Sequence, residues 1–104
     1  MTAMKAVPRS GAEELEKLLA ADPVTTGMIV RVRGEHLLVG REQDEMDDGE
    51  AIIDDRVRLT RLHRETWGLS VKRHNGRWER TPFTGTIAEL VEVVLTFMQH
   101  LVAT

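Results

Sequence analysis

The stretch WGLSVKRHNGRWER, residues 67–80, decides how the second half of the chain folds. Asn75-Gly76 near its centre is a strong hairpin signal, because a type I′ turn requires positive φ angles at both of its central residues. The residues before the turn alternate between apolar and polar, as in a strand with one covered face. We therefore predict a β-hairpin with Trp67 in its first strand and Trp78 in its second.

A two-residue turn fixes which residues face each other across this hairpin, and so the side of the sheet on which each side chain lies. It pairs Arg73 with Trp78 and Lys72 with Glu79, which predicts a cation–π contact and a cross-strand charge pair. In this register both tryptophans lie on the covered face, and Phe83 is the aromatic residue on the outer face. This favours core packing over nucleic-acid stacking as the role of the tryptophans.

Residues 28–41, MIVRVRGEHLLVGR, predict an earlier hairpin around a two-residue Gly34-Glu35 turn. Its strands alternate, so that Arg31 and Arg33 lie on one face and apolar residues on the other. The apolar face is formed by Val30, Val32, Leu37 and Val39.

The segment between the two hairpins has a strong charge asymmetry. Residues 42–55 carry eight acidic residues and no basic one, whereas residues 56–80 carry eight basic residues and two acidic ones. We expect 42–55 to be an acidic loop, with a short edge strand at 51–53.

The following strand, RVRLTRLH, is predicted to turn Val57 and Leu59 inward, and Leu62 breaks its alternation, which indicates a bulge near Arg61. The outward residues of this strand are expected to be Arg56, Arg58 and Thr60.

Two helices flank the sheet in this prediction. Ser10 and Glu13 fit a capping box, leucines follow at helical spacing, and the helix ends near Asp22. Thr86 and Glu89 form a second capping box, which starts a long C-terminal helix. The apolar stripe of that helix covers about half of its circumference, more than a surface helix needs. The sequence thus leaves two alternatives open, burial of the whole stripe within the chain and contact of part of it with a second subunit.

The predicted fold is α+β: an N-terminal helix, an antiparallel four- to five-stranded sheet of two hairpins, and a long C-terminal helix packed on one sheet face. Residues 1–9 are expected to be a flexible tail, and residues 10–104 a single domain. The chain has no cysteine, which excludes disulfides and thiolate chemistry. It shows no signal-peptide pattern and no stretch apolar enough to span a membrane, so we expect a cytoplasmic protein.

No catalytic constellation is recognisable in the sequence. The four histidines form no metal-binding pattern, although His63 and His74 are expected on neighbouring strands. The acidic loop resembles a calcium loop only in part, because Met46 occupies a ligand position. Ser70 has no glycine elbow. We therefore expect no enzyme activity, no metal and no cofactor.

The outer face of the sheet is the candidate binding surface. Strand alternation gathers basic side chains there, which suits an acidic partner. The predicted partner-binding residues are Arg31, Arg33, Arg58, Lys72 and Arg77. On the last helix, Val93 and Phe97 widen the apolar stripe and are the predicted self-association residues.

These features predict a small non-catalytic interaction or regulatory module, a homodimer that also contacts an unidentified protein partner. The alternative is a single-stranded nucleic-acid-binding domain that uses the basic outer sheet face. The layout of two hairpins followed by an amphipathic helix resembles the architecture of whirly and Pur-type domains, which implies that alternative. The predicted burial of both tryptophans, the acidic loop and the net charge of −3 count against it.

Overall fold

A computed structural model describes residues 9–43 and 52–103, without the side chains of residues 9 and 10. The expected N-terminal tail and most of the calcium-loop comparison fall outside these ranges. Ser10, predicted to cap the first helix, lies within α1, and its side chain is not described. The helices are α1 (Arg9–Ala20), α2 (Ile87–Phe97) and α3 (Gln99–Val102). The strands are β1 (Ile29–Arg33), β2 (His36–Gln43), β3 (Ile52–His63), β4 (Thr66–Lys72) and β5 (Trp78–Gly85).

The five strands form one antiparallel sheet in the order β1-β2-β3-β4-β5. The helices pack on one side of it, and their apolar residues join those of the strands in a single core. Leu15, Leu37, Leu69 and Leu90 are almost fully buried there. The α+β class, the antiparallel sheet and the helix-covered face are thus confirmed.

The first hairpin has the predicted register. Val32 lies opposite Leu37 and Val30 opposite Val39, around a two-residue turn in which Gly34 has a φ of +60°. The segment beyond it differs from the prediction, because β2 continues to Gln43 and β3 begins at Ile52. Both ends of the expected acidic loop are therefore strand, and Ile52 and Ile53 belong to a central strand instead of an edge strand.

Two bulges interrupt β3. The predicted one lies between Arg61 and His63. The other makes Arg56 an extra residue opposite the Val39–Gly40 step of β2. This second bulge turns the Arg56 guanidinium toward the covered side, where it donates to the carbonyl of Leu101 at 2.8 Å. The prediction that Arg56 faces outward is therefore wrong.

The hairpin between β4 and β5 also differs from the prediction, because its loop has three residues, His74–Gly76. The amide of Gly76 donates to the Arg73 carbonyl at 2.8 Å, and the Arg73 amide donates to the Arg77 carbonyl at 2.8 Å. Gly76 has a φ of +86°. This is a type I turn followed by a left-handed residue, a common way to close a three-residue hairpin loop.

The extra loop residue moves the β5 register by one position. Lys72 faces Trp78 and Val71 faces Glu79. A slip of one residue transfers every side chain of a strand to the other face of the sheet. Trp78 therefore lies opposite to the covered face, and Phe83 packs against the core. The predicted burial of both tryptophans is wrong for Trp78 and confirmed for Trp67, which is 4% exposed.

The C-terminal helix begins as predicted. The Thr86 hydroxyl accepts from the Glu89 amide, and the Glu89 carboxylate accepts from the Thr86 amide, so the capping box is complete. The single long helix of the prediction is divided, because Met98 leaves helical geometry between α2 and α3.

A buried arginine ties the end of the chain to the sheet. Arg41, in β2, donates from its guanidinium to the carbonyls of Val24, Thr26 and Val102, at 2.6, 3.1 and 2.7 Å. These carbonyls belong to the α1–β1 connection and to the last turn of α3. Hydrogen bonds to a charged group are stronger than neutral ones, so Arg41 fixes the chain end on the covered face.

Replacement of Arg41 by methionine keeps an unbranched apolar stem and removes these donors. We expect a loss of about 3 kcal/mol in the free energy of unfolding, because three carbonyls lose charged partners. Urea denaturation of Arg41→Met measures this loss, and Arg33→Met, at an exposed position of β1, is the matched control. Equal stability of the two variants would contradict this role of Arg41.

Candidate binding face

The side of the sheet opposite the helices is the candidate binding surface, and we call it the open face. In residues 9–43 and 52–103 no helix packs on it. The strand register assigns its side chains, because residues that pair across strands point to the same side. The open face comprises Arg31, Arg33, His36, Leu38, Arg58, Thr60, Ser70, Lys72, Trp78 and Arg80.

A straight row of paired residues crosses all five strands of the open face. It runs from Arg31 through Leu38, Arg58 and Ser70 to Arg80. Leu38 is only 6% exposed although it lies outside the main core. Its row neighbours on β1 and β3 are Arg31 and Arg58, whose aliphatic stems can cover an apolar side chain.

The positive charge of the open face is compensated at one end only. Arg31 forms an ion pair with Asp55 at 2.6 Å. Within the described part of the chain, Arg33, Arg58, Lys72 and Arg80 have no carboxylate partner. The β3–β5 side of the open face is therefore the more positive side.

Trp78 is held on the open face by cations. The guanidinium carbon of Arg58 lies 4.8 Å from the centre of the Trp78 ring, and the Lys72 ammonium lies 6.0 Å from it. Cations are attracted to the negative face of an indole ring. The predicted contact of Arg73 with Trp78 is replaced by these two, and Arg73 instead pairs with Glu79 on the covered side.

Arg58 is unusual among the cations of the open face. Its Nε atom is buried and has no hydrogen-bond partner in the described structure. Burial lowers the pKa of Arg58 below its ordinary value, although an arginine remains charged at neutral pH. A partly desolvated cation without an anionic partner exerts a stronger field than one in water.

His36 lies next to Arg58 on the open face. Its Nδ1 atom is 2.8 Å from the Thr60 hydroxyl, and the direction of that hydrogen bond depends on the imidazole tautomer. Burial lowers the His36 pKa, the positive charge of Arg58 lowers it further, and Glu35 partly opposes them. The protonated form of His36 is therefore less favoured than that of an exposed histidine.

A cleft of ≈ 250 Å³ opens between β3, β4 and β5 on the open face. Arg58 and Arg80 lie at its sides, Trp78 forms one wall, and the Ser70 side chain lies between the two arginines. The remaining lining residues are His36, Thr60, Leu62 and Gly68. Cation, hydroxyl and aromatic groups together make this cleft suitable for an anion that carries a flat ring.

A larger cleft of ≈ 590 Å³ lies beside the β4–β5 loop. Its charges are largely paired with each other, since Asp54 binds Arg56 and Glu79 binds Arg73. A surface with compensated charges has a weak field toward an outside ligand. The smaller cleft is therefore the better candidate site despite its size.

The structure places four of the five predicted partner-binding residues together on the open face: Arg31, Arg33, Arg58 and Lys72. Arg77 is the exception. It pairs with Arg73 beyond the three-residue loop, and the slip in register removes it from the row of open-face residues. Arg80 takes its place in that row.

The two predicted self-association residues differ in their surroundings. Val93 is partly buried and packs against the core. Phe97 is 64% exposed, and its ring stacks on that of Phe83 with centroids 6.1 Å apart. Phe97 is the one that presents apolar surface to solvent.

Sequence reasoning missed Trp78, Arg80, His36 and Ser70 as members of this surface. Asn75-Gly76 fits a two-residue type I′ turn, but a glycine also fits the left-handed position of a three-residue loop. The signal that distinguishes them is Phe83, which enters the core only in the three-residue register.

The described residues contain no group of three or more histidine, aspartate or glutamate side chains arranged to hold a metal ion. His63 is the last residue of β3 and His74 lies in the loop after β4, so the two are at opposite ends of β4 and do not approach each other. None of the helices in the described ranges has the length and apolarity needed to cross a membrane.

Comparisons with known proteins assign no family to the chain. No protein-family model matches it, and no curated protein or solved structure matches it at a significant level.

The Arg58–His36 pair makes a testable pH prediction. Because the folded-state pKa of His36 lies below its unfolded value of about 6.5, protonation favours the unfolded chain, and His36 destabilises the fold as the pH falls below about 6.5. Titration of the His36 ring by NMR should give a pKa below that value, and Arg58→Met should raise it. An unchanged pKa in Arg58→Met would contradict the coupling.

Proposed function

We propose that the protein is a small non-catalytic binding module that holds single-stranded nucleic acid on its open sheet face. One observation carries the proposal: Trp78 lies among the uncompensated cations of that face. Single-strand binders combine a positive surface for phosphates with aromatic rings on which bases stack. A cytoplasmic location, where such strands occur, belongs to the same proposal.

The charges of the open face support this partner class over duplex DNA. Arg58, Lys72 and Arg80 lie near Trp78 on the β3–β5 side of the open face, whereas the chain as a whole has a net charge of −3. A limited basic area beside an aromatic ring favours a short segment of unpaired nucleotides. An acidic protein segment is the competing partner for the same cations.

Fluorescence anisotropy with a labelled oligonucleotide of about ten nucleotides tests the proposal. We expect binding that weakens steeply between about 50 and 200 mM salt, because phosphate contacts release counterions. Poly-glutamate of matched charge should compete poorly. Absence of binding at low salt, or equal competition by poly-glutamate, would contradict nucleic acid as the partner.

Trp78→Leu isolates the stacking contribution. We expect affinity for the single strand to fall about tenfold, since stacking of a base on an aromatic ring is worth about 1–3 kcal/mol. Phe97→Leu is the matched control, because Phe97 is an exposed aromatic residue away from the open face. Equal affinities of the two variants would show that Trp78 does not stack with bases.

Self-association through Phe97 is a second candidate activity, and its support is the exposed Phe97–Phe83 stack on the covered side of the molecule. Two such stacks in contact would bury apolar surface that a monomer leaves in water. This contact leaves the open face accessible.

Sedimentation analysis of Phe97→Glu tests the second candidate. We expect a dimer for the wild type and a folded monomer for Phe97→Glu, with Thr96→Glu as the charge-matched control at an exposed neighbouring position. Val93 is unsuitable for this purpose because a charge there would enter the core. A monomeric wild-type protein would contradict self-association through Phe97.

A further inference from the structure

The cleft of the open face has the composition of a site for one nucleotide. Arg58, Ser70 and Arg80 pair across three neighbouring strands, so that Ser70, which is 5% exposed, lies between the two arginines in the row. Neighbouring strands are about 4.8 Å apart, which separates the two arginine backbones by about 10 Å. Two arginine side chains can close on a single phosphate over that distance.

The groups in the cleft have spare capacity for an anion. Within the described residues, neither Arg80 nor the Ser70 hydroxyl makes an ion pair or hydrogen bond, and Arg58 is held by its contact with the Trp78 ring. The Arg58 Nε atom has no acceptor. A phosphate oxygen in the cleft would accept from the terminal N–H groups of the Arg58 guanidinium and from the Ser70 hydroxyl together.

The walls of the cleft distinguish a nucleotide from a free anion. Trp78 forms one side and Leu62, which is 41% exposed, lies over Gly68 at the other. A ring inserted between them would stack on an indole and contact an aliphatic side chain. Inorganic phosphate or a carboxylate would leave these apolar walls in water.

We propose that this cleft is a one-nucleotide subsite, in which Arg58, Ser70 and Arg80 bind the phosphate and Trp78 stacks with the base. The inference rests on the proposed function, since the nucleotide belongs to a single strand that continues over the open face. His36 neighbours the phosphate position and shares its surroundings with Arg33, Glu35 and Arg58.

NMR titrations of the full chain with AMP, adenosine and inorganic phosphate test the subsite. We expect AMP to perturb the amide signals of Ser70 and Arg80 and the indole signal of Trp78, with at least tenfold tighter binding than adenosine or phosphate alone. The bound phosphate should also raise the His36 pKa, because an anion favours the protonated imidazole.

Arg80→Met should weaken AMP binding at least tenfold, and Arg77→Met, which removes the same charge outside the cleft, should leave it unchanged. Both residues are exposed, so both variants are expected to fold, and far-ultraviolet circular dichroism verifies this. Equal binding of AMP and adenosine, perturbations away from the cleft, or equal effects of the two variants would overturn the subsite.

The same titrations separate this inference from the proposed function. Oligonucleotide binding that is lost with the open-face charges, without AMP binding in the cleft, would overturn the subsite and keep the function. AMP binding in the cleft without oligonucleotide binding at low salt would confirm the nucleotide site and overturn the single-strand function.

Discussion

The three-residue loop between β4 and β5 is the constraint on which the binding surface depends. Two backbone hydrogen bonds and the left-handed Gly76 close that loop and set the partners of Trp78, Glu79 and Arg80, the β5 residues nearest to it. Since side chains alternate along a strand, this one choice decides whether Trp78 enters the core or joins the cations of the open face. It also decides the opposite fate of Phe83, which packs under the helices and stacks on Phe97.

Arginine has two distinct uses in this molecule. On the covered side, Arg41 and Arg56 donate to backbone carbonyls near the end of the chain, and their hydrogen bonds stabilise the fold. On the open face, Arg58 and Arg80 have neither carbonyl nor carboxylate partners in the described residues. The donors of Arg41 and Arg56 find acceptors within the fold, whereas Arg58 and Arg80 leave a positive field for an external anion. A count of arginines along the sequence does not separate these roles.

The sequence predicted those parts of the fold that depend on local chemistry. Gly34 at a two-residue turn gave the correct register of the first hairpin, and Thr86 with Glu89 gave the start of α2. The prediction failed where the local sequence is compatible with more than one backbone conformation. Asn75-Gly76 suits two loop lengths, and the bulge at Arg56 has no glycine on the bulged strand itself. Four of the five predicted partner-binding residues lie together on the open face because they belong to β1, β3 and β4, whose alternation the β5 slip does not affect.

The β4–β5 register is the central claim, and cross-strand nuclear Overhauser effects between Hα protons measure it directly. In this structure Lys72 and Trp78 form a pair without mutual hydrogen bonds, the type in which the backbones approach most closely. We therefore expect a strong Hα–Hα effect between Lys72 and Trp78. An effect between Arg73 and Trp78 would instead show a two-residue turn, return Trp78 to the covered face and contradict the account of the open face.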